Sequence, residues 1–181
     1  MCHFITATLP ASADAAALDA IARRHGRQLQ PLHSPGVQAQ LGADLRYYLT
    51  TPGHCDCGTA LGARVRRAAP RDEAEEARRL RRKGWSEGKI ERALAQRRQQ
   101  RENDDAAQGS VAGQELETWR AFIAEALSMR NVSSFGLLVH HYHGAIDAEF
   151  ALQGRETLTL DQATPQRLGE LREDVLYLFR R

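Results

Sequence analysis

Cys55 and Cys57 stand one residue apart in "GHCDCG", directly behind the strand-like run "LRYYLTT", in a chain of 181 residues with only three cysteines. Thiolate sulfur and imidazole nitrogen are the ligands that zinc and other borderline-soft transition metals favour, usually four of them in a tetrahedron. His54, Cys55 and Cys57 offer three such groups in four residues, and the flanking Gly53 and Gly58 let the loop curl around an ion. A single Cys-x-Cys is less diagnostic than two Cys-x-x-Cys knuckles, so further ligands have to come from elsewhere. His141 and His143, on one side of the run "LLVHHYH", are the first candidates. His140, on the other side, and Cys2 and His3 at the start of the chain are additional ones.

The same residues admit thiol chemistry. A helix beginning near Gly58 would lower the Cys57 pKa, a protonated His54 would do so for Cys55, and a histidine of the 140–143 run would serve as base. Asp56 between the thiols opposes thiolate formation, and no cysteine-protease signature accompanies them. Free cysteine is also simply a small, often buried, hydrophobe.

Whether any of these groups meet depends on strand direction. Strands are expected at 2–8, from "CHFITAT", at 44–51, where Leu45, Tyr47 and Leu49 alternate with polar neighbours, at 134–143 and at 155–160. If the 44–51 and 134–143 strands run the same way, the Cys loop and the histidines share an end. Cys2 and His3 reach that loop only if the first strand is antiparallel to 44–51. The two arrangements look hard to satisfy together.

Helices expected at 13–25, 114–130 and 164–180 would cover the sheet. The last rests on Thr164-Pro165 as cap and first turn and on the stripe Leu168, Leu171, Val175, Leu178. The implied fold class is α+β: a single domain over 1–181 with a small mixed or antiparallel sheet covered by helices. A charged αα-hairpin is inserted at 70–102, followed by a flexible connection at 103–114, "NDDAAQGSVAG". A short helix is expected at 59–67. No glycine-rich phosphate loop follows the first strand, so no nucleotide is expected.

Charge is unevenly spread. The total is only +2, yet residues 64–101 hold 14 basic and six acidic side chains, which leaves the rest of the chain acidic. "EARRLRRKGWSEGKIERAL" resembles part of a helix-turn-helix, which implies phosphate contacts from Arg78, Arg79, Arg81, Arg82, Arg92, Arg97, Arg98 and Arg101. The motif is short and diluted by acids. An acidic protein partner therefore ranks ahead of nucleic acid, as in an adaptor, inhibitor or immunity-type protein without catalysis. No apolar run reaches membrane-spanning length and the first residues lack a secretory pattern, so a cytoplasmic protein with reduced thiols and no membrane partner is expected.

Overall fold

A computed structural model describes the backbone of residues 2–62 and 73–181. The expected helix at 59–67 falls largely outside the described residues; 59–62 form turns. The fold class is α+β, as the sequence implies, with an open six-stranded mixed sheet. Its strands are β1 (Cys2–Pro10), β2 (Gln30–Pro31), β3 (Leu45–Leu49), β4 (Phe135–Tyr142), β5 (Gly154–Thr159) and β6 (Val175–Arg180), in the order β2-β3-β1-β4-β6-β5. Only β5 and β6 pair in parallel.

Helices cover both faces. Alternation along β1 sends Ile5, Ala7 and Leu9 to one side, where Leu137, Val139, Tyr177 and Phe179 join them. There they pack against Leu18, Ile21 and Ala22 of α1 (Ala15–Arg24) and against Trp119, Phe122, Ile123 and Leu127. The other face is smaller: Leu45, Tyr47, Leu138, Leu176 and Leu178 meet Val37 and Leu41 of α2 (Pro35–Leu41). α1 begins where the Asp14 carboxylate accepts from the N–H groups of Ala16 and Ala17, and stops before Gly26, whose φ of 69° suits glycine.

Two expectations are corrected. The 164–180 segment is not one helix. α5 (Pro165–Gly169) lasts little more than a turn, Asp174 takes a φ of 59°, and Val175–Arg180 forms β6. The stripe of Leu168, Leu171, Val175 and Leu178 has helical spacing, but "VLYLF" is a continuous apolar run. It lies between β4 and β5 with both faces covered, which is the environment that favours a strand. The flexible connection at 103–114 is also absent: α4 runs unbroken from Glu87 to Ser128. Gly109 and Gly113 each disfavour a helix by about 1 kcal/mol relative to alanine, too little to break one held by strong helix formers on both sides.

Among the described residues the chain divides into two compact units. One gathers residues up to 62 and from 113 onward, and includes the whole sheet. The other holds residues 73–112: α3 (Glu73–Arg82), a turn at Gly84 (φ 78°) and the first part of α4. Ala77, Leu80 and Ile90 form its small core, with Trp85 and Leu94 against them. No helix among the described residues is long and apolar enough to cross a membrane.

Candidate metal centre

β1 lies between β3 and β4 and is antiparallel to both. β3 and β4 therefore point the same way, and the start of β1 sits between their C-terminal ends. The two strand arrangements that looked hard to combine hold together because β1 is the strand in the middle. Cys2 pairs with Tyr142, His3 with His141 and Phe4 with His140, while the loop after β3 arrives at the same end.

That loop continues the pairing of β3 with β1. The Asp56 N–H donates to the His3 carbonyl at 2.9 Å, and the His3 N–H donates to the Cys57 sulfur at 3.2 Å. Asp56 turns inward and is buried, while Cys55 is half-buried and Cys57 exposed. The sulfurs of Cys2, Cys55 and Cys57 consequently lie within 4.8 Å of one another. A zinc–sulfur bond of about 2.3 Å in a tetrahedron spaces its sulfurs at about 3.8 Å, so small side-chain rotations would close three ligands on one ion.

The Asp56 carboxylate anchors this arrangement. Its Oδ2 accepts from the Ile5 N–H at 2.9 Å and from the Thr51 hydroxyl, and its Oδ1 accepts from Arg27 Nη1 at 2.7 Å. Arg27 lies over the Trp119 ring at 4.5 Å and reaches Glu115 at 2.7 Å, and Glu115 in turn accepts from the Ala60 N–H at 2.8 Å. Both charges of the Arg27–Asp56 pair are nearly withdrawn from water, with side chains 9% and 1% exposed. Such a pair holds position only when its remaining donors and acceptors are met, as they are here. Behind it the loop folds so closely that a Cβ on Gly62 would stand 2.0 Å from the Asp56 carbonyl oxygen.

Two of the thiols are shifted in opposite directions. The Cys57 backbone N–H, then the Cys57 and Cys2 thiols, hydrogen-bond the Cys55 sulfur and hold its pKa below the ordinary thiol range, against burial and the Asp56 charge. Cys2 moves the other way: its hydrogen bond to Cys55 keeps its proton in place, aided by burial and by the neighbouring sulfurs. Of these two, Cys55 is thus the thiol that gives up its proton more readily, with Cys2 donating to it.

The histidines stand differently. His54 is exposed and, with His141 and His143, lies outside the sulfur group, the one set of three or more close metal-ligating side chains among the described residues. His3 Nε2 is 2.8 Å from Glu173 Oε1, and its ring stacks on His141 with centroids 4.4 Å apart; His143 meets His141 at 4.8 Å. Burial first, then the neighbouring His3 and His143, push His141 below the usual imidazole range. His140 faces the opposite side of the sheet, where Nδ1 is 2.5 Å from Asp174 Oδ1 and the ring lies flat on Phe150 at 3.7 Å.

No protein-family model, curated protein or solved structure matches the chain. Of the sequence candidates, Cys55 and Cys57 come together with Cys2. Arg27 and Glu115, which fix the loop, escaped sequence reasoning because they lie 29 and 59 residues from Asp56 without any local motif. Asp56 itself was legible only as a charge between thiols; nothing in its local sequence marks it as buried.

Proposed function

We propose that this protein is a small metal-binding protein whose centre is the Cys2–Cys55–Cys57 thiol group, with zinc as the first candidate ion and a structural or regulatory role. The observation that carries the reading is the convergence of three sulfurs, within 4.8 Å of one another, from segments more than fifty residues apart. Three thiolates favour Zn(II) or Cu(I) over hard cations such as Mg(II) or Ca(II), which take oxygen ligands. A three-sulfur site leaves the fourth position of a tetrahedral ion to water or an incoming ligand, which suits regulation or metal transfer as well as structure.

The experiment is elemental analysis of protein purified under reducing, chelator-free conditions, followed by Co(II) substitution. One equivalent of metal and an intense sulfur-to-cobalt charge-transfer band support the reading. Both should be lost in Cys2→Ser and in Cys57→Ser, whereas His54→Ala should leave them unchanged. Metal-free protein that binds no Co(II), and whose thiols instead oxidise to a disulfide, would replace it with thiol redox chemistry.

A further inference from the structure

The arginine-rich hairpin plays no part in the thiol centre. Nine of the residues 77–100 are arginine or lysine and two are glutamate. All eleven charged side chains are exposed. One glutamate, Glu87, is paired with Arg81 at 2.6 Å, so these two charges offset each other and the rest of the segment stays strongly positive. Arg78 and Arg82 are spaced four residues apart on α3, as neighbours on one helical flank. Lys89 and Arg92, three apart, form a second pair on α4.

Such a surface attracts anions, and its remaining composition decides which kind. Protein interfaces are centred on desolvated aromatic or aliphatic anchors. Here the large apolar side chains of residues 77–100 are turned inward: Leu80 and Ile90 are buried, with Trp85 and Leu94 packed against them, and Lys89 covers the Trp85 ring at 4.2 Å. The same lack of an outward apolar face leaves nothing to enter a lipid interface, where amphipathic helices bury one. Single-stranded nucleic acid is held chiefly by stacking on exposed aromatics, and the one aromatic of this segment is occupied.

What fits is a regular array of phosphates read by charge alone. Arginine predominates over lysine by seven to two in the segment, and its planar fork pairs phosphate oxygens in bidentate fashion. We propose that the α3–α4 hairpin docks on the phosphate backbone of duplex nucleic acid without reading sequence. This inference is independent of the metal reading, because none of the residues involved belongs to the thiol site.

The test is fluorescence anisotropy of the full chain with labelled duplexes of mixed sequence, DNA and RNA, from 50 to 200 mM salt. Each phosphate contact contributes a slope of about 0.9 to log K against log salt, so three contacts should cost roughly 40-fold in affinity over that range. Arg78→Glu, Arg82→Glu and Arg92→Glu combined should weaken duplex binding at least tenfold at 50 mM salt with the far-ultraviolet circular dichroism unchanged. If that variant misfolds, the corresponding Arg→Gln triple gives the same reading with a milder change. Cys2→Ser should bind as the parent does. The proposal is overturned by no duplex binding at 50 mM salt, or by binding indifferent to the arginine substitutions. Equal or tighter binding to single strands, to anionic phosphatidylserine vesicles or to poly-glutamate would overturn it as well.

Discussion

Among single residues, the position of the thiols depends on a carboxylate that takes no part in their chemistry. Asp56 satisfies the Ile5 N–H, the Thr51 hydroxyl and one arm of Arg27 at once. Replacing it by alanine would leave a guanidinium only 9% exposed with Glu115 as its remaining carboxylate, and would orphan a buried N–H. Breaking one side of a buried pair costs about 3 kcal/mol or more. Asp56→Ala should therefore lower the urea midpoint by that equivalent, and should weaken Co(II) binding although every sulfur is retained. Unchanged metal affinity would mean that the loop holds its shape without the anchor. Here the sequence was informative in part. "CDCG" marked Cys55 and Cys57 by type alone, but Cys2 could join them only through strand order, which residue types do not encode.

At the scale of elements, legibility followed period and length. α1 was legible because its cap, apolar face and glycine stop agree with one another. Strands β1, β3 and β4 were legible because alternation or β-branched content is strong in each. β6 was misread because four apolar residues fit the helical period, while the strands that pair along its edges and the side chains that cover its faces come from elsewhere in the chain. β2 and α2 are too short to impose a period. The link from α1 to β2 offers a pH test. Asp19 accepts from the Leu29 N–H at 2.7 Å and from Arg23 Nε at 2.7 Å, and these two bonds hold its carboxyl below the usual range. A folded-state pKa below the unfolded one means that the stabilisation is present above the unfolded value and is lost as pH falls through the folded one. Asp19→Asn should be less stable than the parent at pH 7, by roughly 1–2 kcal/mol for the loss of charge-assisted bonds. The two unfolding curves should converge once the pH has fallen below the folded-state pKa, where the parent carboxyl is also neutral; a constant gap through that acid titration would assign the loss to packing.

For the whole molecule, an ion at the three sulfurs would act as a cross-link. Cys2 begins β1, the strand on which β3 and β4 both pair, and Cys55 and Cys57 close the loop that follows β3. Metal bound there would tie the first residues of a central strand to a segment more than fifty residues away, by a bond that the unfolded chain does not keep. Binding to the native state alone stabilises it by about 2.7 kcal/mol when free metal stands at 100 times its Kd. For a chain of this length that corresponds to a Tm rise of about 5–10 °C. Removing the metal with a chelator under reducing conditions should reverse the rise. The loss should be local first: amide exchange should quicken at His3, Ile5 and Asp56, whose N–H groups bond across the loop, before it does at Leu137 or Leu138 in the middle of the sheet. Chelation that strips the ion yet leaves both Tm and the exchange at Ile5 and Asp56 unchanged would show that Asp56 and Arg27 alone hold the strand to the loop. The ion would then have to act on something outside the fold.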